Sequence, residues 1–210
     1  LHAYGWLADS DALHASHYRF ATNAVAVTYA NAHGRFSVAD NLCGFSYANT
    51  TGAGIPTAQN APTQAGIFAT GNGIPPTSGV NIVYNLSAAG PVLDQLAISP
   101  STGSADFALD GALCHRALAT GNDPVSGAAL GGEMQQASAR VRQGMREVEL
   151  GGRLRGRPAI IVHGRSDTLV PVNHTSRAYY AKNRRLEGHQ SANVRLRQAL
   201  ELFANVRPVK

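Results

Sequence analysis

One stretch of this sequence has the residue types and spacing for acyl-transfer chemistry. It runs His163-Gly164-Arg165-Ser166-Asp167-Thr168-Leu169-Val170-Pro171 and follows the apolar run Ala159-Ile160-Ile161-Val162. A carboxylate held where a strand ends can accept a hydrogen bond from the Nδ1–H of a histidine. It then fixes that histidine's tautomer and stabilises the imidazolium that forms when a hydroxyl attacks a carbonyl carbon. Asp167 is the candidate for that acid. Gly164 permits a sharp exit from the strand, and Val170 and Pro171 pack the turn and start the next helix. The competing reading is an aspartate that only caps a turn. The apolar strand before it and the Val-Pro sequel favour the acid.

An acid of this kind needs a base and a nucleophile. On an α/β-hydrolase sheet the chain order is serine, acid, histidine. Only His174 and His189 follow Asp167. His174 stands where a helix is expected to start and reads as a cap-region or pocket residue. His189, in Glu187-Gly188-His189-Gln190, is the candidate base, although the stretch before it, Lys182 to Glu187, is basic and polar where a buried strand is usual. No Gly-x-Ser-x-Gly occurs. The nearest pattern is Gly44-Phe45-Ser46-Tyr47-Ala48, which makes Ser46 the in-chain nucleophile candidate. The preceding Phe36 to Asn41 is too polar for the strand that such an elbow follows, and the other reading of Ser46 is an ordinary loop serine. The eight histidines and two cysteines show no metal-ligand spacing, so neither a metal nor another cofactor is expected.

The elements that position these residues follow from periodicity. Ala159 to Gly164 is a short continuous apolar run, the signature of a strand buried in a parallel sheet. A helix is expected over about 175–186, with Asn173 or Thr175 to cap it and Gly188 to stop it. Strand, polar turn and helix form the unit of a doubly wound sheet, whose function sits at the carboxyl ends of its strands. Upstream, Phe107, Leu109, Leu113 and Leu118 suit a helix that Gly121 would end. A second helix is expected over about 128–150, with Leu130, Met134, Ala137, Val141, Met145 and Val148 as one apolar stripe. His14 to Asn31 reads as partly helical. The stretch from Asn49 to Pro100 is rich in Gly, Pro, Thr, Ser and Asn, with turn signals at Thr51–Pro56 and Gly71–Pro76 and a short strand at Val80–Tyr84. It reads as a lid or binding region. Ser191 to Phe203 reads as an amphipathic helix. The expected fold class is α/β, a partial hydrolase-like parallel sheet with a long irregular Gly/Pro-rich insertion. The expected segments are a partly helical 1–48, a loop-rich 49–104, the C-terminal part of the α/β domain at 105–188, and a divergent tail at 189–210.

Composition narrows the classes. Of 210 residues, 44% are hydrophobic and only 15% charged. No run of 18 apolar residues exists, so no transmembrane helix is expected. The first residues have no basic segment followed by an apolar one, so no signal peptide is visible. Residues 1–139 carry three Arg or Lys against eight Asp or Glu, whereas 140–210 carry fifteen against five. A basic half can bind an anionic partner; without a nucleic-acid motif the arginines read better as solvated helix faces. Cys43 and Cys114 either pair, closing a long loop, or pack as buried thiols.

Several segments, in order, resemble the D-(−)-3-hydroxybutyrate oligomer hydrolases. They are Arg19-Phe20-Ala21-Thr22 with Ala26-Val27-Thr28-Tyr29-Ala30-Asn31, then Val38-Ala39-Asp40-Asn41-Leu42-Cys43-Gly44-Phe45-Ser46, the run Ala69 to Val80, Ser99-Pro100-Ser101-Thr102-Gly103, Leu109 to Cys114, and Gly156 to Gly164 continuing through Asn173 to Arg177. The similarity covers roughly residues 14–188. It implies a serine esterase that cleaves dimers and short oligomers of 3-hydroxybutyrate, a small-molecule ester substrate with no nucleic-acid or membrane partner, and an extracellular or periplasmic location, some members being intracellular. Family members are much longer, so the resemblance implies a C-terminal portion with the acid, matched by Asp167, and with the nucleophile upstream. The resemblance fades after Gly188, where the family continues with an apolar strand and an Asn-Ala-Gln-His-Phe-Asp type segment. A disrupted reading frame near the end of the gene would explain that departure. The alternatives are a noncatalytic remnant and a binder of an anionic partner through 140–210.

Overall fold

The computed structural model describes residues 2–4, 6–58, 60–62, 80–164, 167, 170–188 and 194–199. The chain divides into two compact units, one of Arg19–Val148 and one of Leu1–Tyr18 with Glu149–Lys210.

The chain is helical from His14 to Gly34, first as α1 (His14–His17), then in a wider π-helical stretch (Tyr18–Val25), then as α2 (Ala26–Gly34). In the Arg19–Val148 unit, α2 stops where Arg35 takes a left-handed φ of 52° and its N–H returns to the Ala32 and Asn31 carbonyls. An antiparallel sheet follows in the order β2-β1-β3-β4, with β1 at Phe45–Thr50, β2 at Pro56–Thr57, β3 at Asn81–Tyr84 and β4 at Val92–Leu93. The register opposes Phe45 to Tyr84 and Tyr47 to Ile82. Alternation along a strand therefore puts these four on one face. Phe45, Ile82 and Tyr84 join Ala24, Val27, Ala97 and Ala108 in one buried cluster, with the Phe45 and Tyr84 rings 5.0 Å apart. The stretch 49–104, expected as loop-rich with one short strand at Val80–Tyr84, has that strand as β3 and also supplies β2, β4 and a small hairpin of β5 (Ile98–Ser99) with β6 (Ser104–Ala105). The Gly71–Pro76 turn signal lies outside the described residues.

Helix α3 (Leu109–Thr120) ends at Gly121 with φ 84°, where the sequence places its stop. Helix α4 (Gly132–Glu147) is shorter than expected, and its buried side is rotated. Ser138, Val141 and Gly144 are buried, whereas Met145 and Val148 are exposed. A second core of Ala30, Leu42, Leu118 and Val141 joins α2, α3 and α4. Cys43 borders both cores and is disulfide-bonded to Cys114 of α3, which answers the question the sequence left open. Closing the 71-residue loop is worth roughly 4 kcal/mol in the chain-entropy model.

In the unit containing Glu149–Lys210, β7 (Ala159–Gly164) leads to α5 (Ser176–Glu187) and then to β8 (Val194–Ala199). The two strands pair in parallel, Ala159 with Val194 through Gly164 with Ala199. The tail expected as an amphipathic helix is therefore a strand over its described part. Val194-Arg195-Leu196-Arg197 alternates with period two, and that pattern prevails over the helical one. Among the described residues no helix is long and apolar enough to cross a membrane.

Candidate active site

Strand β7 carries apolar residues on both faces, but it is not the fully buried strand that the apolar run suggests: Ala159 and Ile161 are half-buried, whereas Ile160 and Val162 are exposed. Its last two positions are His163 and Gly164. The chain then turns, and the Asp167 N–H reaches back to the Gly164 carbonyl at 3.4 Å. Asp167 thus stands just beyond the carboxyl end of the strand, with its side chain 25% exposed. Its Oδ1 accepts the Val170 backbone N–H at 2.9 Å, a turn bond of the kind that short acidic side chains make.

His163 ties this turn to both neighbouring elements. Its side chain is 12% exposed. Nε2 lies 2.8 Å from the Val170 carbonyl oxygen, and Nδ1 lies 2.6 Å from Oγ of Ser176, the buried first residue of α5. The same Nε2 is 3.7 Å from Asp167 Oδ2, too long for a hydrogen bond but close enough for electrostatic attraction.

The start of α5 departs from the expected cap. Thr175 occupies the cap position, but its hydroxyl donates backwards to the Pro171 carbonyl at 3.0 Å, so it makes no side-chain cap. Asn173 Oδ1 accepts from Arg177 Nη1 at 2.5 Å. His174 is exposed in this turn. The far end of α5 is anchored to the loop before β7. Buried Asn183 donates to the Gly152 carbonyl at 2.8 Å, and Glu187 Oε1 accepts the Arg155 N–H at 2.8 Å. The Arg155 N–H holds the Glu187 carboxyl below the usual carboxylate range. The helix is thereby fixed against the segment that feeds the strand.

The three sequence candidates fare differently. Asp167 sits on the turn just described. His189 lies outside the described residues. Ser46 belongs to the other unit, in β1 opposite Val83, and its Oγ accepts from Asn85 Nδ2 at 2.8 Å. A serine paired within an antiparallel ladder lacks the sharp strand-to-helix turn that lifts a nucleophile clear of its sheet. Among the described residues no group of three or more His, Cys, Asp or Glu can hold a metal ion. The pairing of His163 with Ser176 is not announced by residue spacing. The available signal was a histidine at the end of an apolar strand, where a ring turned inward must find hydrogen bonds.

A family model described as 3HB-oligomer hydrolase (3HBOH) matches residues 1–200. The chain is 50% identical over 195 residues to the D-(−)-3-hydroxybutyrate oligomer hydrolase of Polaromonas naphthalenivorans (strain CJ2), covering 90% of this chain and 26% of that protein. It is 51% identical over 182 residues to the protein of the same name from Azoarcus sp. (strain BH72), covering 86% and 24%. For the Cupriavidus necator protein the identity is 45% over 191 residues, covering 90% and 25%. The chain spans about a quarter of the length of the curated relatives it matches. The family match continues past Gly188, where the sequence alone suggested that the resemblance ended. No solved structure matches the chain.

Proposed function

The chain belongs to the 3HB-oligomer hydrolase family, and on that basis we propose that it is the acid-bearing part of a serine esterase for 3-hydroxybutyrate dimers and short oligomers. Asp167 is the acid. The observation that carries this role is its place at the carboxyl end of a parallel strand, with one carboxylate oxygen fixed by the Val170 N–H. From there it orients a histidine whose other nitrogen takes the proton of a serine hydroxyl as that oxygen attacks the ester carbonyl. The acyl-enzyme then yields to water.

The nucleophile on this reading lies outside these 210 residues, because no Gly-x-Ser-x-Gly is present and Ser46 is held inside an antiparallel strand. His189 remains the base candidate within the chain. The β7-α5-β8 unit supports a hydrolase-type parallel sheet, and the Cys43–Cys114 disulfide supports an oxidising compartment, extracellular or periplasmic.

The test is hydrolysis of the 3-hydroxybutyrate dimer by the complete product of the gene. Asp167→Asn is expected to lower kcat by roughly 10⁴-fold, as loss of a triad acid does, with the circular dichroism spectrum unchanged. A serine-directed phosphonate probe is expected to label a residue other than Ser46. Full activity of the variant, or labelling of Ser46, overturns the assignment concerned.

A further inference from the structure

We propose that His163 is a positioning residue for the Asp167 carboxylate, working as a neutral clamp whose proton is on Nε2. The inference rests on the reading of Asp167 as the acid. A carbonyl oxygen can only accept, so the 2.8 Å contact between Nε2 and the Val170 oxygen requires the proton on Nε2. In the neutral ring Nδ1 is then an acceptor, and the Ser176 hydroxyl donates to it at 2.6 Å. Both nitrogens are engaged, so His163 is not the base that takes the nucleophile's proton.

The consequence falls on Val170. Its N–H holds Asp167 Oδ1 at 2.9 Å, and its C=O is held by His163. One peptide segment is therefore gripped from both sides, by the acid and by the end of the strand. Ser176 extends the grip to the first turn of α5, whose other end Asn183 and Glu187 fix to the loop before β7. Nε2–H also stands 3.7 Å from Asp167 Oδ2, so the imidazole faces the second carboxylate oxygen as well. Loss of the imidazole frees the Val170 carbonyl and lets the carboxylate drift. A misplacement of about 1 Å at such a site lowers the rate by about 100-fold.

The experiment has two arms. In the first, the imidazole nitrogens of the 210-residue chain are observed by 15N NMR at about pH 8, where the ordinary histidine is neutral. The expected result is a bare Nδ1 and a protonated Nε2 for His163; a protonated Nδ1 overturns the clamp. In the second arm the complete gene product hydrolyses the 3-hydroxybutyrate dimer. His163→Ala is expected to lower kcat by about 100-fold with KM within about twofold. His163→Gln, which can set an amide N–H where Nε2–H stood, is expected to recover most of the loss. Should His163→Ala fail to fold, His163→Gln decides: folded but as inactive as Asp167→Asn, it overturns the proposal. Inactive Asp167→Asn beside fully active His163→Ala also overturns it. Fully active Asp167→Asn instead removes the acid assignment, and the NMR arm still reports on the clamp by itself.

Discussion

Two buried or nearly buried histidines show how differently one residue type is used. His163 has a partner for each nitrogen. His115, on α3 next to the disulfide, is buried with no hydrogen-bond partner for either nitrogen among the described residues and stacks on Phe45, centroids 5.2 Å apart and planes 12° from parallel. Burial pushes its pKa down from 6.5 to about 4. The folded state thus binds fewer protons than the unfolded state between those values. Stability from this group is fully present above about pH 6.5 and is lost as pH falls towards 4. The shift corresponds to about 3 kcal/mol. His115→Leu keeps an apolar contact with Phe45 and removes the titration. Urea unfolding at several pH values between 4 and 7 should give a flatter stability profile for the variant than for the parent chain. An equally steep profile would assign the acid sensitivity to other groups.

At the scale of elements, α2 and α4 approach each other through Gly144. A Cβ built there would stand 2.0 Å from the His33 carbonyl oxygen and 2.6 Å from its carbon. Backbone atoms cannot rotate away as a side chain can. Gly144→Ala therefore sets a helix-propensity gain of about 1 kcal/mol against an overpacking penalty of about 1–3 kcal/mol, and the clash should win. Denaturant unfolding should show a net loss of stability, and a gain would mean that the helices separate without cost. Gly144 also explains why the apolar stripe of α4 was only partly legible. Counting apolar residues assigns Met145 and Val148 to the core, but the closest approach is made by a residue with no side chain. Elements announced by their own local chemistry were readable: α3 with its Gly121 stop, α5 with its Gly188 stop, and the apolar run of β7. Strand β1 was not, because Ser46, Ala48, Asn49 and Thr50 give it little apolar character and its pairing with β3 is non-local. The same holds for β8, where two arginines among apolar residues fit either period. Within the candidate site, the place of Asp167 just past the end of β7 was legible from its motif. The roles of Val170 and Ser176 depend on a turn that brings them onto one imidazole, which residue spacing does not reveal.

At the scale of the whole molecule, the exposed side of β7 carries the last consequence. Parallel sheets are found with both faces covered, and two strands rarely suffice for independent stability. Yet Ile160 and Val162 are 72% and 62% exposed, in a chain that spans a quarter of its relatives' length. Two exposed apolar positions side by side on one strand face leave apolar surface in water that a covering layer would remove. The 210-residue chain by itself should bind a hydrophobic dye, and the double substitution Ile160→Thr, Val162→Thr should lower that signal while keeping β-branched residues in the strand. In a protein of the relatives' full length the outcome depends on what covers the face. Where further strands and helices of the same sheet pack on it, the two substitutions put hydroxyls into a core and should destabilise by a few kcal/mol. A complete product as stable with both threonines as without them would mean that this face meets water, and the hydrolase-type sheet proposed around Asp167 would lose its support.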